Sequence, residues 1–121
     1  MKRAPHHRPE RLAALIQETV AEALSALIKD PRVGFVTITG VTVSADGSHA
    51  TVRVSVMGTE EQKANAMAGL ESARGFLRTH LAHVLSLRTT PELHFRLDRG
   101  LEHAQRINQL LADLKRGESS P

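Results

Sequence analysis

The sequence predicts an α+β domain in which a three-stranded sheet is covered on one face by helices. Two observations predict this fold class. Short segments rich in β-branched residues are interspersed with longer segments of helical periodicity, and no internal repeat or inter-domain linker interrupts them. The chain has 121 residues, which is the size of a single domain. The expected order of elements is helix, strand, strand, helix, helix, strand, helix.

The first helix is expected over residues 9–29. Its apolar residues recur at spacings of three and four and form one stripe: Leu12, Leu15, Ile16, Val20, Leu24, Leu27 and Ile28. Pro9 suits the first turn of a helix, and Pro31 prevents the helix from continuing.

Two strands follow, and the pattern predicts that they form a hairpin. Residues 33–43 are rich in valine, isoleucine and threonine, which indicates a strand, and their nearly continuous apolar content favours a central one. Asp46-Gly47 supplies the turn. Residues 49–56 alternate strictly, with Ala50, Val52, Val54 and Val56 on one face, as in a half-buried strand.

Residues 60–87 are helical in pattern, but Gly75 interrupts the run at a cost of about 1 kcal/mol relative to alanine. We therefore expect two helices, 60–73 and 76–86, that meet at Ala73-Arg74-Gly75. A third strand is expected over 91–97. A last helix is expected over about 101–115, with an apolar inner face formed by Leu101, Ala104, Ile107, Leu111 and Leu114. Residues 9–115 then form the domain, residues 1–8 a flexible basic arm, and residues 116–121 a disordered tail.

Positive charge is concentrated in two segments. The net charge is +3 with a pI of about 10.0. Residues 1–11 carry four cationic side chains against one carboxylate, and residues 74–106 carry six arginines against three carboxylates. Such segments are either solvated faces or the electrostatic footprint of nucleic-acid binding.

Composition argues against several function classes. The chain has no cysteine, which removes thiol catalysis and thiolate metal sites. No nucleophile elbow or phosphate-cradling glycine loop is present, so we expect no enzymatic activity and no cofactor. His6 and His7 are adjacent and His80 and His83 are three apart, without an acidic ligand at a recognised spacing, so no metal is expected. No apolar run is long enough to span a bilayer, and we expect a cytoplasmic protein.

The joint at Ala73-Arg74-Gly75 is the candidate binding element. A second helix beginning there offers free backbone N–H groups, and Arg74 and Arg78 lie one turn apart beside them, which suits phosphate. The alternative is a glycine that relieves crowding against the sheet. Aromatic residues are only 2% of the chain, and Phe35, Phe76 and Phe95 occupy apolar positions that indicate the core. Binding by shape and phosphate contacts is therefore expected, rather than by stacking of bases.

Several blocks, in this order and spacing, resemble the ribosome-binding factor A family over residues 8–114. The blocks are Arg8-Pro9-Glu10-Arg11-Leu12, residues 28–34, residues 36–46, residues 72–78, residues 87–95, Asp98, and the helix containing Ile107 and Leu110-Leu111. The resemblance implies a type II KH-like domain in which an Ala-x-Gly kink, matched by Ala73-Arg74-Gly75, replaces the Gly-x-x-Gly loop of ordinary KH domains. It also implies late maturation of the small (30S) ribosomal subunit, processing of the 5′ end of 16S rRNA, and support of growth in the cold.

The function that we expect is binding of small-subunit ribosomal RNA, and of the free or immature small subunit, by a monomeric factor. The expected RNA-binding residues are Ala73, Arg74, Gly75, Arg78, Arg88, Lys2, Arg3, Arg8 and Arg11. An alternative is a protein-interaction adaptor that docks its partner on the open sheet face or the last helix. The adaptor predicts binding that resists salt and survives nuclease treatment.

Overall fold

A computed structural model describes residues 9–116 of the chain, apart from the side chains of residues 101–104 and 116. Its helices are α1 (Pro9–Ala26), α2 (Glu60–Leu85) and α3 (Gly100–Arg116); its strands are β1 (Val36–Val43), β2 (His49–Val56) and β3 (Glu92–Leu97); and a 3-10 turn spans Pro31–Val33. The expected arm, residues 1–8, lies outside the described residues, as do residues 117–121 of the expected tail 116–121, whereas Arg116 is the last residue of α3. The α+β fold class and the three-stranded sheet are confirmed.

The sheet has the order β1-β2-β3. β1 and β2 form the predicted antiparallel hairpin, whereas β3 pairs with β2 in parallel. A parallel pair requires a crossover connection, and α2 provides it. The expectation that the first strand is central is wrong, because β2 occupies the centre and β1 lies at an edge. The alternating strand is thus the one that is paired on both sides.

The core lies between one face of the sheet and the helices α1 and α2. Ala50, Val52, Val54 and Val56 of β2 are all buried, as their alternation predicts. They pack in one cluster with residues of α1, α2 and β3, which include Ile16, Val20, Leu70, Leu77, Leu81, Leu93 and Phe95. The opposite face of the sheet is polar, and no helix among the described residues is long and apolar enough to cross a membrane.

α2 is one continuous helix of 26 residues, so the expected pair of helices meeting at Ala73-Arg74-Gly75 is wrong. The helix begins with a capping box, in which Thr59 Oγ1 accepts from the Gln62 N–H at 3.1 Å and Gln62 Oε1 accepts from the Thr59 N–H at 2.7 Å. It ends at Ser86, whose φ is 51°. Buried leucines on both sides of Gly75 dock the helix on the sheet, and this packing outweighs the weak helix propensity of one glycine.

Two expectations about apolar side chains are also wrong. Phe35 is 72% exposed and Phe76 is 50% exposed, and only Phe95, at 6%, lies in the core. Ile107, Leu111 and Leu114 of α3 are exposed rather than turned inward, while the side chains of Leu101 and Ala104 lie outside the described set. Periodicity identifies an apolar face of a helix, but it does not tell what covers that face.

Candidate nucleic-acid interface

Arg74 and Arg78 project from α2 into solvent one helical turn apart. Arg74 Nε lies 3.6 Å from Glu71 Oε1, an exposed ion pair that contributes little and leaves other guanidinium donors free. Arg78 Nη2 donates to the carbonyl oxygen of Thr90 at 3.0 Å. This hydrogen bond fixes the Arg78 side chain beside the loop that follows α2.

Arg78 and Arg88 meet at one open depression of about 440 Å³. After α2 ends at Ser86, the chain turns back along the last turns of the helix before β3 begins. The depression is lined by Arg78, Thr79, Ala82, Arg88, Thr89 and Thr90. It thus combines guanidinium groups with threonine hydroxyls, and both groups hydrogen-bond phosphate oxygens.

Among the described side chains, which do not include residues 101–104, no carboxylate neutralises the positive charge at this depression. No ion pair among them joins a carboxylate to Arg78 or Arg88. Arg32, by contrast, lies 2.6 Å from Asp30, whose pKa is lowered chiefly by hydrogen bonds from the Arg32 side chain.

Gly75 lies on the exposed side of α2, between Arg74 and Phe76. A Cβ atom at this position would have no neighbour within 4 Å, so crowding against the sheet does not explain the glycine. Because the helix is continuous, the N–H groups around Gly75 are used in its own hydrogen bonds. The expected phosphate site at a helix N-terminus is therefore wrong, and Gly75 instead leaves a bare patch of helix backbone.

Ala73 cannot contact RNA through its side chain. It is only 9% exposed and belongs to the hydrophobic core. Each helical residue turns the side-chain direction by about 100°, so that Ala73 points inward while Arg74, Gly75 and Arg78 point outward. The expectation of Ala73 as a contact residue is corrected: it anchors this part of α2 to the core.

Of the remaining predicted residues, the structure describes Arg11, which is exposed on α1 and does not line the depression. Lys2, Arg3 and Arg8 lie outside the described residues.

Phe76, which the sequence pattern assigns to the core, is a further candidate for contact with RNA. Its ring is stacked on His80, with centroids 6.0 Å apart and planes 8° from parallel. An open groove that includes Leu27, Ile28 and Ser72 adjoins it. The spacing contained the signal: Leu70, Ala73, Leu77 and Leu81 form the buried stripe, and Phe76 falls one residue outside it.

Comparisons with known proteins agree with this architecture. A family model described as ribosome-binding factor A matches residues 8–111. The ribosome-binding factor A of Desulforamulus reducens is 42% identical over 115 residues, which is 95% of this chain and 96% of that protein. The crystal structure of ribosome-binding factor A from Thermus thermophilus has a TM-score of 0.68 and 32% identity, covering 78% of this chain and 100% of that one.

A second similar structure is a homology model of the Thermus thermophilus factor fitted into a cryo-electron microscopy map of a 30S–RbfA complex. It has 33% identity and a TM-score of 0.63, and covers 74% of this chain and 94% of that one. These likenesses confirm the expected KH-like α+β fold. Since the family model spans most of the sequence and the relatives align over nearly their full length, the chain belongs to the ribosome-binding factor A family.

Proposed function

We propose that this chain binds the small ribosomal subunit through the backbone of its ribosomal RNA. The contact is made by Arg74, Gly75, Arg78 and Arg88, hereafter the arginine surface. One observation carries the proposal: Arg78 and Arg88 share an open depression that no carboxylate neutralises among the described residues, next to a glycine that the packing does not require. The homologous factor from Thermus thermophilus has been fitted into a map of a 30S complex, which supports the same partner here.

Each part of the arginine surface has a distinct task. Arg78 and Arg88 offer paired N–H donors that match the spacing of phosphate oxygens. Arg74, one turn away, extends the positive strip along α2. The bare backbone at Gly75 lets an RNA strand approach more closely than any side chain allows. Such contacts position the factor but read no sequence, so the assembling particle supplies the specificity.

The basic N-terminal residues add to this binding. Lys2, Arg3, Arg8 and Arg11 contribute phosphate contacts, each of which releases counterions and steepens the salt dependence of binding. We propose that the factor acts in the cytoplasm as a monomer, without catalysis. There it assists late maturation of the 30S subunit and processing of the 5′ end of 16S rRNA.

The first test reverses charge at the depression. Arg78→Glu with Arg88→Glu is expected to abolish co-sedimentation with immature small subunits at moderate salt, because two attractive contacts become repulsive. Arg96→Glu is the matched control. It makes the same type of charge reversal at one position, on β3 and on the sheet face away from α2, and should leave binding nearly intact. Equal binding by the double variant and the control contradicts the arginine surface.

The second test concerns maturation. Cells that lack the protein should accumulate free subunits with 16S rRNA unprocessed at the 5′ end, most strongly in the cold. The Arg96→Glu variant should restore processing, and the double variant should not. Restoration by the double variant at normal abundance contradicts a role of the arginine surface in maturation.

An adaptor function is the second candidate, and one observation favours it. α3 presents exposed apolar side chains along one face: Ile107, Leu110, Leu111 and Leu114. Binding that depends on apolar burial changes little at moderate salt, whereas binding through phosphate contacts weakens as the salt concentration rises. The adaptor is supported if the association survives both nuclease treatment and salt at about 0.5 M. This salt concentration is roughly five times that at which the Debye length is about 10 Å, so contacts between exposed charges are strongly screened. Loss under either condition supports RNA contact.

A further inference from the structure

Two histidines and a glutamate meet on the polar face of the sheet, opposite the face that packs on the helices. His49 Nδ1 lies 2.9 Å from His94 Nε2, and Glu92 Oε1 lies 3.9 Å from the same His94 nitrogen. One ligand atom from each of the three side chains lies within 4.8 Å of those of the other two. The imidazole rings are tilted by 38° and meet through their nitrogens rather than their faces.

The sheet holds these side chains in place. His49 and Glu92 are direct partners in the parallel pairing of β2 with β3. Glu92 and His94 are two residues apart on β3, so their side chains share a face with His49. Hydrogen bonds from their backbone N–H groups hold the first residues of β2 and β3 in place: the Glu92 N–H donates to the Ser48 carbonyl at 2.9 Å, and the His49 N–H donates to Ser44 Oγ at 3.0 Å.

The spacing suits a small metal ion. Zinc binds imidazole nitrogen and carboxylate oxygen at about 2.0–2.2 Å, which separates two tetrahedral ligand atoms by about 3.3 Å. The observed 2.9 and 3.9 Å lie on either side of that value, and small rotations of exposed side chains close the difference. The nearby cation Arg53 is directed toward β1, where its Nη1 donates to Thr42 Oγ1 at 2.7 Å.

We propose that His49, Glu92 and His94 form a binding site for a divalent transition-metal ion of the zinc class, with water completing the coordination. Two imidazoles and one carboxylate are ligands that suit Zn²⁺, Ni²⁺ and Cu²⁺, while Mg²⁺ prefers sites made of oxygen alone. The ion links the first residue of β2 to the edge strand β3. The spacing along the sequence does not indicate this cluster of ligands, because His49 and His94 are 45 positions apart.

The test uses the full chain without a histidine tag and with His6→Ala and His7→Ala in every sample, since adjacent histidines add background binding. Zinc affinity is measured by competition with a chromophoric chelator. The parent should bind one equivalent of zinc and no Mg²⁺. His49→Gln with His94→Gln should lose this binding. Glu92→Gln should weaken it at least about tenfold, since loss of even an outer-sphere partner has an effect of that size.

His80→Gln with His83→Gln is the matched control, because it also removes two histidines, which lie three residues apart on α2. It should bind zinc like the parent. A second readout needs no variant: zinc added to the parent should perturb the imidazole NMR signals of His49 and His94, and raise the melting temperature by mass action. The proposal is overturned if the His49/His94 variant retains the parent's affinity. It is equally overturned if the parent binds no zinc when zinc is in about 100-fold excess over protein. In that case His49 and His94 form only a hydrogen-bonded pair.

Discussion

Replacing Gly75 by alanine adds one methyl group to an exposed position in the middle of α2. The new Cβ has no neighbour within 4 Å, so it introduces neither a clash nor new packing. Glycine in a helix interior is about 1 kcal/mol less favourable than alanine. The free energy of unfolding should therefore rise by about 1 kcal/mol, which corresponds to an increase of about 4–8 °C in melting temperature for a domain near 100 residues.

Gly69→Ala is the matched comparison on the same helix. A Cβ at Gly69 would lie 2.9 Å from Val33 Cγ1 and 3.3 Å from both Arg32 Cβ and Asp30 Oδ2. The same gain in helix propensity is then opposed by overpacking of about 1–3 kcal/mol. We expect a net loss of about 1 kcal/mol. The two substitutions, which are chemically identical, should thus change stability in opposite directions.

Urea unfolding followed by circular dichroism measures both changes, and co-sedimentation with immature small subunits measures binding. Gly75→Ala should weaken binding although the protein is more stable, because the methyl group holds the RNA backbone away from the helix. A decrease in the stability of Gly75→Ala would refute the continuous, exposed helix. Unchanged binding by this variant would refute close approach of RNA at this position.

Two further predictions concern the aromatic ring beside the arginine surface and the exposed carboxylates. Phe76→Ala should change stability far less than the roughly 3–5 kcal/mol typical of buried phenylalanine, because the ring is half exposed. We expect it to weaken subunit binding, because the exposed ring offers an RNA base a face on which to stack. Normal binding by this folded variant contradicts a stacking role. Hydrogen bonds from Ser44 and Ser48 lower the pKa of Asp46 from 3.8 to about 2, and hydrogen bonds from Arg99 lower the pKa of Glu60 from 4.5 to about 2. Because both folded-state pKa values are depressed, their contribution to stability should be complete above pH 4.5 and lost as the pH falls toward 2. Glu60→Gln should flatten the melting-temperature profile in that window, and an unchanged profile contradicts the ion pair with Arg99.

The strict alternation of residues 49–56 predicted the buried face of β2. The apolar stripe of the first helix predicted the burial of Leu12, Ile16 and Val20, but α1 ends at Ala26 rather than at residue 29, and Leu27 is 45% exposed. Where the predicted faces are buried, local pattern and tertiary packing point to the same arrangement. The break at Gly75 was predicted wrongly because propensity is a local quantity. The leucines before and after Gly75 pack on the sheet together, and this packing keeps the helix continuous across Gly75.

What sequence reasoning missed depends on contacts between distant residues. The pairing of β3 with β2 brings His49 to His94, and no spacing along the chain records that pairing. The placement of β1 at an edge depends on the crossover made by α2. Phe76 is different, because its offset from the buried stripe was visible in the sequence. The expectation that it lies in the core rested on its apolar position in the helical pattern.

The salt dependence of subunit binding tests the arginine surface most directly. The logarithm of the binding constant should fall linearly with the logarithm of salt concentration, by about 0.7–0.9 units for each neutralised phosphate. Arg78→Gln with Arg88→Gln should reduce that slope by about 1.5 units, while Arg96→Gln should leave it unchanged. Identical slopes for the parent and the Arg78/Arg88 variant would show that the depression does not touch RNA.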